Sequence, residues 1–270
     1  ALPIYAGGVT VVTNAGSNGK FLGVLDLEFG QQGVSGYRYR LLPIFSNLLP
    51  ADQAMAAHIT QVRAPYLDKL REPLARTDSL LYRRGNFNGT FDQVICDALR
   101  EQLDAQIALS PGFRWGTSVL PGDTITMENL LDQTCMTYPE TYVRDMGGDE
   151  LKLILESVAD NLFHEDPYLQ QGGDMVRSGG LAYTLNPTAG MGHRISDLQL
   201  SDGTKVQASG SYRVAGWATV GSQSPGDPVW DVVARYLRDR KEIRLERLET
   251  PNLVGVGNNA GIEDYQGILL

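Results

Sequence analysis

Tyr82-Arg83-Arg84-Gly85-Asn86-Phe87-Asn88-Gly89-Thr90-Phe91 runs directly into a segment whose apolar residues recur at helical spacing. Val94, Ile95, Ala98, Leu99 and Leu103 fall on one face, which predicts an amphipathic helix over 90–108 with Thr90 capping its first turn. A helix N-terminus carries unsatisfied N–H groups and a partial positive charge, so two guanidiniums beside it favour an anionic partner. The plain alternative is a solvated arginine pair on a loop ahead of a core helix. The residues taken alone leave both readings open.

Downstream, the loop Ser110-Pro111-Gly112-Phe113-Arg114-Trp115-Gly116 follows the helix. Thr126 is placed to cap a short helix through Leu131, Thr141 to Met146 reads as a strand, and Asp149 is placed to cap the helix carrying Leu151, Ile154, Leu155, Val158 and Leu162. Leu181–Leu185, Arg194–Leu200 and Tyr212–Val220 read as strands, with a turn at Ser201-Asp202-Gly203. Asp227-Pro228 opens a helix through Val229, Trp230, Val233 and Leu237. From Thr77 onward the pattern is therefore α+β.

Upstream, residues 1–45 read as β: Val9–Thr13, Phe21–Phe29 and Tyr37–Ile44, separated by turn chemistry. Three strands with so few partners cannot make a stable sheet alone, so they look like the last strands of a sheet whose others are absent. Pro50 to Ala75 keeps a helical face, with Pro65 expected to kink it, and suits either an inter-domain linker or an ordinary surface helix. The expected organisation is terminal strands over 1–48, a linker helix over 49–76, an α+β substrate domain over 77–250 and a glycine- and asparagine-rich tail over 251–270.

A formal net charge of −9 weighs against nucleic acid as partner, because phosphate binding wants a basic surface. No apolar run approaches the ~20 residues of a membrane span. Cys96 sits on or near the apolar side of its helix, where a buried thiol is usual; a Cys96–Cys135 disulfide is the alternative in an oxidising compartment. His58, His164 and His193 are scattered, and with no Cys-x-x-Cys no metal site is visible in this chain. Arg114, between two glycines and flanked by Phe113 and Trp115, is the best single group for gripping an oxyanion, since its planar fork suits sulfate, thiosulfonate or phosphate. Trp217 is placed either to wall a pocket or to fill a core.

The stretch Thr13-Asn14-Ala15-Gly16-Ser17-Asn18-Gly19-Lys20-Phe21-Leu22-Gly23-Val24-Leu25-Asp26-Leu27 resembles the closing strands of the metallophosphoesterase domain in the 5′-nucleotidase family, and the rest resembles that family's C-terminal substrate-binding domain. Leu80 to Gln93, Asp174 to Thr184 and Tyr212 to Val220 are more similar to one branch, the SoxB thiosulfohydrolases of bacterial sulfur oxidation. The resemblance implies a periplasmic enzyme with two manganese ions. It would hydrolyse the terminal S–S bond of a sulfonated cysteine on the flexible C-terminal arm of a SoxYZ carrier, releasing sulfate. In the family an Asn-Gly-Gly-Gly-Ile-Arg loop supplies the arginine that meets the substrate anion, and it aligns with Ser110–Arg114, which gives Arg114 that role. Tyr138 and Trp217 would wall the channel, with Arg83, Arg84 and Asn86 as further substrate-binding groups.

Two departures disfavour a nucleotide. The Asn-Gly-Gly-Asp-Gly stretch beyond the second aromatic is replaced by Gly221–Asp227, and Ala105 falls where a second substrate arginine belongs. The family's metal ligands lie upstream, so the expectation is a C-terminal portion, inactive and metal-free by itself, with the missing metal domain as a partner. Two other readings stand beside this one: a nucleotide or nucleotide-sugar hydrolase domain, and a non-catalytic module that docks the carrier.

Overall fold

The computed structural model describes residues 4–6, 10–16, 19–83, 87–113, 116–218 and 226–257. The chain divides into two compact units, Ala1–Leu67 and Asp68–Leu270.

In the first unit β1 (Ile4–Ala6) pairs antiparallel with β2 (Thr10–Val12), and β3 (Phe21–Gly30) with β4 (Gly33–Pro43). The tight turn into β4 passes through Gly33 at φ 112°, a backbone that side chains rarely adopt. Leu25, Leu27 and Phe29 alternate along β3 as a packed strand would have them, yet Phe29 is 74% exposed. Among the described residues no apolar side chain before Leu74 is buried. The ribbon thus carries the pattern of a core strand without a core. Beyond it, Asp52 caps α1 (Gln53–Arg63) by accepting from the Met55 N–H at 2.8 Å. Pro65 then breaks the helix into a 3₁₀ turn, Ala64–Tyr66, ahead of α2 (Leu67–Leu70). Helix ends at Leu70, short of the predicted Ala75. Pro73 instead begins β5 (Pro73–Thr77), a first-residue position where its missing N–H is tolerated.

The second unit continues with α3 (Thr90–Gln102), β6 (Ile107–Ser110), β7 (Thr124–Thr126), α4 (Met127–Thr134), β8 (Thr141–Gly147) and α5 (Gly148–Leu162). Then come β9 (Arg177–Gly179), β10 (Leu181–Leu185), β11 (Ile195–Leu200), β12 (Ser211–Trp217), α6 (Val229–Arg240), β13 (Glu242–Ile243) and β14 (Asn252–Leu253). The central sheet has the order β8-β12-β6-β9, in which β12 runs parallel to β6 and antiparallel to β8. Alternation splits its side chains between two cores. Ala108, Ala215 and Trp217 pack with α3, α4 and α6, whereas Ile107, Leu109, Tyr212 and Val214 pack with α5, β10 and β11. Two small three-stranded sheets, β11-β10-β14 and β13-β5-β7, complete the unit. The α+β class is as read from the sequence.

The predicted helix over 90–108 is in fact α3 followed by β6. Asp104 turns the chain at φ 51°, and all four residues of β6 are buried. A short apolar run covered on both faces has no period to separate strand from helix, so the helical pattern was extended too far. Two caps also differ from expectation. Gly89 caps α3, while the Thr90 hydroxyl accepts from the Tyr82 N–H and donates to the Leu80 carbonyl. Gly147 caps α5, where an Asp149 cap was expected. Thr126 forms a full capping box with Asn129, as its position suggested. The glycine- and asparagine-rich tail contains β14, added parallel to β10.

Cys96 is buried in α3, Cys135 is exposed, and neither is in a disulfide. Burial pushes the Cys96 thiol well above its ordinary range, with Asp92 adding to the rise. Cys135 alone is therefore expected to react with a disulfide reagent in the native chain, and both thiols after unfolding. A native titration of zero or two thiols would contradict this placement.

Candidate functional site

At the end where β6 and β12 finish side by side, the second unit opens into a cleft of about 530 Å³. Its floor is Ser110-Pro111-Gly112-Phe113, its far wall is the α5 face carrying Ile154, Val158 and Leu162, and Trp217 with Ala218 close the third side. Ala218, at the cleft edge, follows β12 with φ 61°, an uncommon backbone for a residue with a side chain. An apolar wall with a few polar groups is the usual make-up of a small-ligand site.

Arg83 lies beneath the floor. It is 1% exposed, and each of its three guanidinium nitrogens donates a hydrogen bond. Nε donates to Asp92 at 2.7 Å, Nη1 to the Gln133 carbonyl at 2.6 Å and Nη2 to the Pro111 carbonyl at 2.9 Å. Its central carbon stands 5.6 Å from the Phe113 ring centre and 6.0 Å from that of Trp217. On the other side of Asp92, Arg177 approaches within 3.4 Å and reaches Asp174 at 2.5 Å. Burial pushes the Asp92 carboxyl up, opposed by the two guanidiniums. Arg83 is therefore not a solvated loop arginine; it is buried against the Asp92 carboxylate and is not among the cleft-lining residues.

Trp217 does line the cleft, but it is only 4% exposed, and its indole N–H donates to the Ser110 hydroxyl at 2.8 Å. Tyr138 stands 40% exposed and is not among the cleft-lining residues. Arg114, Arg84 and Asn86 lie outside the described residues. Sequence reasoning passed over Tyr142, which shares one face of β8 with Arg144, an arginine whose place near a predicted turn marks it for a cleft; both line the cleft. Their i, i+2 spacing in a predicted strand was the available signal. Arg144 pairs with Glu150 at 2.8 Å and lies 5.9 Å from the Tyr142 ring centre. Burial raises the Tyr142 phenol, so it stays a neutral hydrogen-bonding group at ordinary pH. Gly216 makes room for it: a Cβ there would fall 2.3 Å from the phenol oxygen.

Residues 74–232, which include every strand of the central sheet, match the family model for the 5′-nucleotidase, C-terminal domain. The chain belongs to this family. Within it, the 5′-nucleotidase-like chain is similar to a solved structure of the sulfate thiohydrolase SoxB from Thermus thermophilus, at 32% identity and a TM-score of 0.86, over 94% of this chain and 48% of that one. A 5′-nucleotidase precursor, also from Thermus thermophilus, shares the fold at 16% identity and a TM-score of 0.75, covering 91% of this chain and 52% of that one. Among curated proteins, the trifunctional nucleotide phosphoesterase YfkN of Bacillus subtilis (strain 168) is 26% identical over 240 residues, 82% of this chain and 16% of that protein. This member of the family thus spans about half the length of the solved relatives it matches and a smaller share of the curated one.

Among the described residues no group of three or more His, Cys, Asp or Glu side chains is placed to hold a metal ion. No described helix is long and apolar enough to cross a membrane.

Proposed function

We propose that this chain is the substrate-binding portion of a periplasmic thiosulfohydrolase. The full-length parent would cleave sulfate from cysteine S-thiosulfonate on a SoxYZ carrier during thiosulfate oxidation. The likeness to a sulfate thiohydrolase, at 32% identity over 94% of this chain, carries the reading. The cleft supports it independently. One face of Trp217 is approached by Arg83 and its N–H is committed to Ser110, which limits its use as a platform for a nucleobase. The apolar α5 wall suits a slim peptide arm better than a polar ribose.

In this reading Arg114 grips the sulfonate oxygens, while Phe113, Tyr142 and Trp217 shape the channel and exclude water. Arg84 and Asn86 belong to the same proposal as further contacts, and Tyr138 as an outer wall. Two manganese ions would be held by the upstream metal domain and would supply an activated water. The described residues here bring together no group of three or more His, Cys, Asp or Glu side chains to hold them. The bare apolar face of the β3–β4 ribbon fits the closing edge of that upstream sheet, and the fragment alone would be inactive.

The experiment is sulfate release from carrier-bound cysteine S-thiosulfonate by the manganese-loaded full-length parent, native against Arg114→Ala. A loss on the order of 10²-fold or more with folding intact is expected, as for removal of one oxyanion donor. Unchanged turnover would make Arg114 structural. The second reading, a nucleotide hydrolase, draws on the match to a nucleotide phosphoesterase at 26% identity. Hydrolysis of a nucleotide, with no sulfate release from the carrier, would establish it in place of the first.

A further inference from the structure

We infer that Arg83, Asp92, Arg177 and Asp174 form a buried, charge-neutral brace that positions the cleft floor from beneath. The inference rests on the reading of the Ser110–Phe113 floor as part of an anion-gripping loop. The four side chains carry two positive and two negative charges in one line, Arg83–Asp92–Arg177–Asp174, each of them buried by at least nine-tenths. Their mutual neutrality means that they project little net field into the cleft. What they supply is geometry.

The two ends of the line attach to the two backbone segments that meet in the floor. Arg83 donates to the Pro111 carbonyl at 2.9 Å, and Arg177 holds Asp174, the residue before Met175. These segments touch at Gly112, where a Cβ would fall 2.1 Å from the Met175 carbonyl oxygen. Asp92, fixed on the first turn of α3, is the anchor common to both. Arg83 also underlies the Phe113 ring, so one guanidinium sets both a backbone carbonyl and an aromatic wall of the cleft. Apart from these four residues, the Trp217 N–H meets the floor at the Ser110 hydroxyl. The four act as positioning residues: Asp174 reaches the cleft lining, and Arg83, Asp92 and Arg177 lie behind it.

Lysine at position 83 discriminates this role from a purely electrostatic one. It keeps the charge opposite Asp92, but a single ammonium cannot span Asp92, Gln133 and Pro111 as the fork does. The test compares native chain with Arg83→Lys by backbone amide order parameters and by titration with inorganic sulfate. Gly112 and Phe113 are expected to fall from about 0.85 towards 0.6 or below, while α5 keeps its native values. Sulfate affinity should drop roughly 10-fold or more, as for loss of hydrogen bonds made by a charged group. Floor order equal to native, or a uniform loss across the unit, overturns the brace. In Ser110→Ala, which leaves Arg83 in place, Gly112 and Phe113 should stay ordered; their loosening there would assign the support to Trp217 and overturn it as well. This variant decides the matter if Arg83→Lys does not fold. Failure of the native chain to bind sulfate would count against the anion-gripping reading, while the order parameters would still judge the brace.

Discussion

Arg83→Met is expected to cost the folded chain about 3–5 kcal/mol, the range for breaking a buried ion pair by removing one partner. Methionine fills much of the volume, so the loss arises from polar groups left behind rather than from a cavity. The carbonyls of Gln133 and Pro111 lose their donor, and Asp92 is left with Arg177 alone. The deficit should also depend on pH. Burial already pushes the Asp92 carboxyl above its ordinary value, and Arg83 is the strongest opposing influence. Without Arg83 the folded-state value rises further while the unfolded-state value stays put. A group whose folded value is raised contributes stability at pH below the unfolded value and loses it as pH climbs through the folded one. The variant's deficit should therefore grow with rising pH and shrink on acidification, where a proton takes the place of the lost cation. Urea unfolding of both proteins across pH 5 to 8 measures this; a deficit that widened towards acid would contradict the assignment.

Arg83 also shows what the sequence could and could not display. The stretch around it was conspicuous, and the resemblance of the chain from the linker helix onward to the 5′-nucleotidase C-terminal domain agrees with the match over residues 74–232. Its side-chain direction was not legible, because Asp92, Pro111 and Gln133 are brought to it by tertiary packing from positions up to 50 residues away. The same limit applied to α5. Its apolar face was plain from Leu151, Ile154, Leu155, Val158 and Leu162, but periodicity cannot show that Ile154, Val158 and Leu162 look into a cleft. Local signals were most reliable where the chain itself supplies both partners, as in the Thr126–Asn129 capping box and the break at Pro65. They failed where burial on both sides erased alternation, as in β6. In the ribbon of β3 and β4 the sequence pattern even runs ahead of the packing, with apolar alternation displayed on strands none of whose residues is fully buried.

Gly112→Ala is expected to disable the cleft. The added Cβ would lie 2.1 Å from the Met175 carbonyl oxygen, 2.9 Å from its carbon and 3.0 Å from the Asp174 carbonyl carbon. All three are backbone atoms, so no flexible side chain can swing aside, and the floor must separate from the Asp174–Met175 segment. Overpacking of this kind costs about 1–3 kcal/mol where the surroundings yield, occasionally more. The larger effect falls on ligand geometry. A floor displaced by about 1 Å moves Phe113 relative to the α5 wall, and in the proposed parent enzyme misplacement on that scale costs on the order of 10²-fold in turnover. Gly190 provides the control, because nothing lies within 4 Å of its would-be Cβ. Gly190→Ala should stay within about 0.5 kcal/mol of native stability and keep native sulfate affinity. If Gly112→Ala and Gly190→Ala behaved alike in both measurements, the contact at Gly112 would not be what sets the floor, and the cleft would have to owe its shape to Trp217 and Ser110 instead.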